Sequence, residues 1–218
     1  MATTEPPLPE WVNRVRPFAG ALLIGVPVYL VFLLYAAGSP ETTDVGYSPL
    51  QPVAYSHQVH AGQMGLDCRY CHTTVEGAAF AAVPPTAVCM NCHKTIAPDK
   101  ETIKPLRESM ATGKPVPWVR VHDLPDYVYF DHRAHVGRGV GCVSCHGRID
   151  RMEQVHQVKT LSMGWCLDCH RDPAPNLRPV EFVTDMNWFP NEDARALGER
   201  LMKEKGISPS TDCSTCHR

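Results

Sequence analysis

The sequence predicts a mostly irregular, loop-rich domain with short helices, preceded by one N-terminal transmembrane helix. Three observations support this fold class. Residues 18–37 form an uncharged apolar run that is long enough for one membrane crossing. The 218 residues include 20 prolines and few long periodic segments, which disfavours long helices in the rest of the chain. All ten cysteines occur in Cys-x-x-Cys-His units, so the short helices are expected mainly to carry these units.

The five Cys-x-x-Cys-His units, numbered first to fifth in chain order, are the most specific motif of the sequence. They are Cys68/Cys71/His72, Cys89/Cys92/His93, Cys142/Cys145/His146, Cys166/Cys169/His170 and Cys213/Cys216/His217. Two thiols separated by two residues can form thioethers to the vinyl groups of one porphyrin, and the adjacent imidazole then binds the iron as proximal ligand. The motifs therefore predict five covalently bound haem c groups, which would replace much of an ordinary core.

Three other uses of Cys-x-x-Cys fit the sequence less well. Structural zinc sites, thioredoxin-like redox pairs and disulfides all employ cysteines at such spacings. None of them requires histidine as the fifth residue, and here every unit has it with no cysteine left over. Covalent haem is therefore the preferred interpretation.

The apolar run predicts a transmembrane anchor at residues 18–37. A helix rises about 1.5 Å per residue, so the run just crosses a hydrocarbon core of about 30 Å. Arg14 and Arg16 precede it, whereas the stretch 39–58 contains no Lys or Arg, so the positive-inside rule places residues 1–17 in the cytoplasm. Residues 38–218 are then expected on the periplasmic side, where bacteria attach haem c.

A cleaved signal peptide is the alternative for this segment, because Ala36 and Gly38 offer small residues for cleavage. The run is longer than the apolar core of a usual signal peptide, which favours an uncleaved anchor. The formal net charge of −2 and the lack of a basic patch argue against nucleic acid as a partner.

An internal repeat contains four of the six histidines outside the motifs. Tyr55-Ser-His57-x-x-His60 precedes the first motif, and Phe130-Asp-His132-x-x-His135 precedes the third. Each segment is followed by two motifs, which indicates two-haem modules at about residues 55–95 and 130–171, with the fifth haem at 213–217.

One ordinary helix is predicted near the C-terminus. Asn191 is a suitable N-cap, and Gly206 is a suitable C-cap. Leu197 and Leu201, together with Ala194, give the helix an apolar stripe, so we expect it to pack against the domain.

The repeat resembles the class III multihaem cytochromes, in which a His-x-x-His precedes a Cys-x-x-Cys-His. The resemblance implies that the first histidine of each pair is the distal ligand of the next haem, and the second that of the following haem. Distal ligands would then be His57 and His60 for the first two motifs, and His132 and His135 for the third and fourth.

The fifth haem has no His-x-x-His of its own. In the class III pattern, a ligand a few residues before a middle motif reaches the last haem, and Met163 lies three residues before Cys166. Met163 is therefore the preferred distal ligand, with His122 and His156 as alternatives.

Several longer stretches resemble the pentahaem cytochrome subunit of bacterial alternative complex III. The stretches are Cys68-Arg-Tyr-Cys-His72, Cys89-Met-Asn-Cys-His93, the run from Gly113 to Phe130, and Met163-Gly-Trp-Cys-Leu-Asp-Cys-His-Arg171. The likeness covers most of residues 50–190. It implies an electron-transfer subunit with no catalytic residues of its own. Its expected partners are integral membrane quinol-oxidising subunits, an iron–sulfur subunit and a soluble periplasmic acceptor, namely a small cytochrome c, a copper protein or an iron–sulfur protein.

Two other functions remain open. A membrane-anchored multihaem quinol dehydrogenase would feed a periplasmic reductase, but that family has methionine just after its first motif, where this chain has Thr73 and Thr74. A pentahaem reductase of the nitrite-reducing kind needs an open iron on a motif with lysine in place of histidine, and the sequence has no such motif.

Overall fold

A computed structural model describes residues 9–217; residues 1–8 of the predicted cytoplasmic segment and Arg218 lie outside it. Within the described residues the chain is helical and irregular, and its only strand-like pairings are two isolated bridges, Val128 with His217 and Val140 with Leu177. The predicted fold class is confirmed. The chain divides into two compact units, one ending at Thr43 and the other beginning at Asp44.

The first unit is dominated by helix α1 (Glu10–Gly38), followed by the short helix α2 (Pro40–Thr43). Helix α1 contains the predicted run 18–37 and begins eight residues earlier than that run. At 29 residues it is about 43 Å long. Its most apolar window has a mean hydropathy of 2.2, and none of its residues is buried. The helix is therefore long and apolar enough to cross a membrane.

Most helices of the second unit carry a Cys-x-x-Cys-His motif, as expected. The motif helices are α3 (Cys68–Cys71), α4 (Thr86–His93), α7 (Cys142–His146), α8 (Met163–Arg171) and α10 (Cys213–Cys216). The others are α5 (Lys104–Thr112), α6 (His132–Val136) and α9 (Ala194–Lys205). A π-helical turn at Gln58–Gln63 contains His60, and short 3₁₀ turns connect several of the helices.

Helix α9 corrects the predicted N-cap and keeps the predicted C-cap. Asp193, rather than Asn191, caps the helix, because its carboxylate accepts a hydrogen bond of 2.9 Å from the Ala196 amide. Gly206 ends the helix in the left-handed conformation. Leu197 and Leu201 are buried in the predicted stripe, whereas Ala194 is exposed and takes no part in it.

Buried apolar side chains form three small clusters rather than one large core. The clusters are Val53, Ile103, Leu106 and Val116; then Val75, Val136 and Val183; and finally Leu177, Leu197 and Leu201. Gly198 lets α9 lie directly on the carbonyl of Ala174, since a Cβ at this position would overlap that backbone. The scarcity of buried side chains agrees with a domain whose apolar interior is completed by porphyrins.

Candidate haem-binding sites

The five motifs share a local structure suited to attaching a group on one side. Each begins at or within a short helix, and all ten cysteines are free thiols, none of them fully buried. Asp67 caps the first motif helix by accepting from the Arg69 amide at 2.8 Å. No group of three His, Cys, Asp or Glu side chains among residues 9–217 could hold a metal ion.

The cysteines are not equivalent in their surroundings, although the motif predicts the same role for all of them. Cys92 and Cys213 are exposed, whereas the other cysteines are partly buried. Cys89, the partner of Cys92 in the second motif, packs against the first apolar cluster. Cys92 is held through its backbone instead, because its carbonyl accepts hydrogen bonds from the amides of Thr95 at 3.0 Å and Ile96 at 2.8 Å. Its exposed thiol is accessible for thioether formation, and haem attachment at Cys92 stays a prediction.

Three motif histidines face a histidine from the repeat at similar ring separations. The ring centroids of His60 and His93 are 6.1 Å apart. Those of His135 and His170 are also 6.1 Å apart. His132 lies parallel to His146, with an interplanar angle of 10° and centroids 6.4 Å apart.

These separations fit two imidazoles that share one metal. A metal–imidazole bond is about 2 Å long, and the ring centroid lies about 1 Å beyond the nitrogen, so two rings on opposite sides of one iron have centroids about 6 Å apart. Direct ring packing is closer, as between His122 and His146 at 4.5 Å. The second, third and fourth motifs therefore fit a haem iron held between two histidines.

The first motif has a buried histidine of the same kind. His57 lies beside His72, and its Nδ1 is buried without a hydrogen-bond partner. Burial, together with the smaller effects of the neighbouring His72 and His60, lowers the pKa of the His57 imidazole to about 4. A neutral imidazole is the form that ligates iron, so His57 is suited to that role.

Backbone carbonyls orient most of these imidazoles. His72 Nδ1 donates to Ala82 O at 2.9 Å, and His132 Nδ1 donates to Ala79 O at 2.8 Å. Similar bonds link His60 to Ser56, His93 to Ile96, His135 to Asp131 and His170 to Ser210. A proton fixed on Nδ1 leaves Nε2 free as a ligand, and such bonds also increase the basicity of the ligand.

The repeated aromatic residue has the same geometry in both modules. Tyr55 meets His57 edge-on at 4.8 Å and stacks on His60 at 4.5 Å. Phe130 likewise meets the first histidine of its module edge-on at 4.7 Å and stacks on the second at 4.5 Å. One ring thus touches both histidines of a pair and fixes their relative orientation.

Side-chain contacts join the motifs in a spatial order that differs from the chain order. Asn91 of the second motif donates to the Tyr70 hydroxyl of the first at 3.3 Å. The Cys68 thiol of the first motif hydrogen-bonds with Cys142 of the third, and this bond is the largest cause of the raised pKa of Cys68 and the lowered pKa of Cys142.

The third, fourth and fifth motifs continue the row. Burial, together with the smaller effects of the nearby Cys169 and Cys166 thiols of the fourth motif, raises the pKa of Cys145 to about 11. Cys166 in turn lies beside Cys216 of the fifth motif. The motifs therefore follow one another in the order second, first, third, fourth, fifth.

The surroundings of the fifth motif differ from those of the others. His217 Nδ1 contacts the Tyr127 carbonyl at 3.2 Å, and the two rings are 5.8 Å apart. Met163 is the first residue of α8 and is 66% exposed. His122 packs against His146 of the third motif, and His156 lies beside His122. The two alternative ligands are thus placed at the third motif.

Several residues at the sites carry no sequence signal. Tyr127 and Ser210 accept hydrogen bonds from histidines through their carbonyl oxygens, which any residue could supply. Asn176 donates to Cys169 Sγ at 3.6 Å, and Arg178 lies beside Cys142. Both belong to an irregular segment without periodicity, and only the folded chain brings them to the motifs.

Comparisons with known proteins agree with this geometry. Residues 36–116 match the class III cytochrome c family, and residues 128–218 match the family of cytochrome c7 and related cytochromes c. The chain is 29% identical over 208 residues to a menaquinone reductase multihaem cytochrome c subunit from Nitratidesulfovibrio vulgaris, a match that covers 92% of this chain and 90% of that protein. The two parts of the chain thus each resemble a family of cytochromes c, in agreement with the predicted multihaem cytochrome c fold.

Proposed function

We propose that this chain is the electron-transfer subunit of a membrane quinol:acceptor oxidoreductase resembling alternative complex III, and that it carries electrons through five c-type haems to a soluble periplasmic acceptor. The observation that carries the proposal is the continuous row of five motifs. Side chains of successive motifs lie near one another along the row, from Asn91 and Tyr70 at one end to Cys166 and Cys216 at the other. A continuous row suits a carrier, whereas an enzyme needs only one reacting centre.

Haem c, when bound, supplies a one-electron iron couple at each motif. The residues proposed to hold it are the five pairs of cysteines, including the exposed Cys92 and Cys213, with His72, His93, His146, His170 and His217 as proximal ligands. The proposed distal ligands are His57, His60, His132, His135 and Met163, in the order of the motifs. Ring separations of 6.1 to 6.4 Å support three of these histidine pairs.

The proposed ligand set leaves no iron position for a substrate. His60 and His135 are each held by an Nδ1 bond of 2.8 Å to a carbonyl four residues earlier and by a stacked aromatic ring. Side chains fixed in this way keep their place in both oxidation states. We therefore assign no catalytic residue to the chain itself.

Helix α1 is proposed to anchor the chain in the cytoplasmic membrane, with the motif-bearing unit on the periplasmic side. Arg14 and Arg16 before the apolar run support this orientation. The partners would then be integral membrane subunits that react with the quinol and an iron–sulfur subunit. Their presence also agrees with the name of the relative, which describes one subunit of a larger enzyme.

The relative also supports a second candidate function, in which electrons flow in the opposite direction. Its name refers to the reduction of menaquinone. If this chain works in the same way, it receives electrons from a periplasmic donor and passes them to a partner that reduces the quinone. Both candidates use the same row of motifs and differ only in the sign of the overall driving force.

The test uses the intact complex purified from membranes in mild detergent. Mass spectrometry identifies the subunits that co-purify. In one arm, stopped-flow absorbance follows the haem bands after the oxidised complex is mixed with a menaquinol analogue. In the second arm, the complex is first reduced and then mixed with the quinone. Fast haem reduction by quinol supports the first proposal, and fast oxidation by quinone supports the second. A chain that purifies without partners and reacts with neither would contradict both.

A further inference from the structure

Arg178 is a buried guanidinium beside the third motif. Its residue is only 9% exposed, and its guanidinium lies 5.0 Å from the ring centre of Trp188. Its backbone amide donates to the Gly139 carbonyl at 2.9 Å. The Arg178 side chain also lies close enough to the Cys142 thiol to favour the thiolate, so it contributes to the lowered pKa of Cys142. A positive charge is thus held next to a haem-attaching cysteine.

Two glycines make room for this arginine. A Cβ at Gly141 would overlap the guanidinium, and a Cβ at Gly139 would overlap the Arg178 carbonyl. Gly139 also has a φ of +89°, which disfavours other residues. Because Gly141 is the N-cap of α7, the guanidinium lies directly against the backbone from which the third motif starts.

Arg178 has no direct ion pair within the described part of the chain, although the Asp185 carboxylate lies near enough to favour its charged form. Its Nη1 donates to the carbonyls of Asp185 at 2.9 Å and Phe182 at 3.4 Å. Its Nε is buried without an acceptor, and burial lowers the pKa of the group. Burying a cation without a direct ion pair costs stability, so an apolar side chain of similar volume would serve packing alone better.

We propose that the positive charge of Arg178 raises the reduction potential of the haem attached through Cys142 and Cys145. Ferric haem accepts one electron and becomes ferrous, and its net charge falls by one. A fixed positive charge nearby favours the ferrous form, and it acts strongly because burial shields it little from the haem. The inference rests on the proposed function, in which the third motif is the middle of the row. A raised potential at the third motif would favour electron transfer to its haem from the haems on either side in the row.

The experiment is a spectroelectrochemical titration of the purified full-length holoprotein, with dithionite as reductant and ferricyanide as oxidant. Arg178→Met removes the charge and keeps the length, whereas Arg178→Lys keeps the charge. The matched control is Arg200→Met, which removes a charge from an exposed ion pair with Glu192. We expect Arg178→Met to lower one midpoint potential of the set, Arg178→Lys to shift it less, and Arg200→Met to leave all of them in place.

Thermal unfolding of the same variants separates tuning from packing. A tuning role predicts that Arg178→Met keeps all its haems and unfolds at a temperature close to that of the parent, while one potential falls. Unchanged potentials in a folded Arg178→Met protein would overturn the inference, as would an equal fall in Arg178→Lys. Should Arg178→Met not fold, Arg178→Gln is titrated in its place under the same criteria. Absence of haem from the parent protein would instead refute the proposed function.

Discussion

The ring of Tyr55 stacks on that of His60, with centroids 4.5 Å apart and an interplanar angle of 23°. Phe130 repeats this relationship with His135 at 4.5 Å and 27°. The two aromatic residues are 75 positions apart in the sequence. Agreement this close between two separate segments supports duplication of a two-haem module, and it assigns a role to a ring that touches both proposed distal ligands.

Replacing Tyr55 with Leu should disturb two haems and not one. The variant removes the ring that fixes His57 and His60, so the ligand planes of the first and second haems gain freedom to rotate. We expect changed g-values for two low-spin signals in electron paramagnetic resonance spectra. Tyr55→Phe keeps the stacked ring and is the matched control; a Leu variant with the parent spectrum would show that the ring has no orienting role.

The five motifs predict five covalent haems on one uncleaved chain. Intact mass should exceed that of the polypeptide by five haem masses, and a pyridine haemochrome assay should give the same ratio. The double variant Cys213→Ala/Cys216→Ala should lose one haem and keep the other four. A parent mass with four haems, or one lacking the first 38 residues, would contradict this expectation.

Carbon monoxide should bind poorly to the reduced protein, because the proposed ligand set fills every iron. His60→Ala should open one position, produce a high-spin signal and allow carbon monoxide to bind with a stoichiometry of about one. His122→Ala is the control, since His122 packs against His146 at 4.5 Å and not at the separation of a shared iron. Strong binding by the parent would favour the reductase interpretation.

Met163→His should lower one reduction potential if Met163 ligates the fifth haem. Thioether ligation raises the potential of a haem iron relative to imidazole, so the exchange removes that difference. Redox titration measures the potential, and loss of the weak near-infrared band of histidine–methionine ligation gives an independent readout. Met202→His, at a half-buried site on α9, is the control. An unchanged set of potentials in Met163→His would exclude Met163 as the ligand.

Acid should destabilise the contact between the first motif and Thr184, which Asp67 makes. The pKa of this carboxyl is lowered from 3.8 to about 2, mainly by the hydrogen bond from the Arg69 side chain and to a smaller extent by the one from Thr184. A carboxyl with a lowered native pKa stabilises the fold above its unfolded pKa, and this stabilisation is lost as the pH falls from about 4 to about 2. Asp67→Asn keeps a good N-cap and removes the charge, so its melting temperature should depend less on pH over this interval. Equal pH dependence in both proteins would contradict the assignment. Asp67→Ala also removes the cap and should cost about 1 kcal/mol more.

The sequence predicted the architecture because its strongest signals are local. Cys-x-x-Cys-His is complete within five residues, and the apolar run that became part of α1 is continuous, so neither depends on the tertiary fold. The resemblance to class III cytochromes also implies that His60 pairs with His93 and His135 with His170, and these pairs stay predictions although their ring separations suit a shared iron. Asn191 is the wrong N-cap because Asn and Asp cap equally well, so residue type alone does not decide between Asn191 and Asp193.

The different surroundings of cysteines within one motif could not be predicted from the motif. Cys89 and Cys92 have the same role in the pattern, yet Cys89 packs against an apolar cluster and Cys92 is exposed. Exposure depends on which neighbouring segments cover each face of α4, and those segments come from elsewhere in the chain.

The order of the motifs could not be predicted in the same way. It depends on contacts such as Cys68 with Cys142, which lie far apart in the chain and between residues that every motif contains. The burial of Arg178 could not be predicted either, since a lone arginine in an irregular segment is expected to be solvated. Its burial results from two glycines in another segment, and that complementarity exists only in the folded protein.

The hydrogen bonds between backbone carbonyls and the proposed ligand histidines have a consequence for how the protein matures. In the proposed topology the chain emerges on the periplasmic side from residue 38 onwards, yet His170 is oriented by Ser210, and His217 is oriented by Tyr127. The fourth site is therefore complete only when the segment around Ser210 has emerged, and the fifth site needs the segment around Tyr127, which emerges much earlier. Maturation cannot finish one unit at a time; we expect it to end in a single late closure, so that a truncation after residue 205 impairs the fourth site as well as removing the fifth.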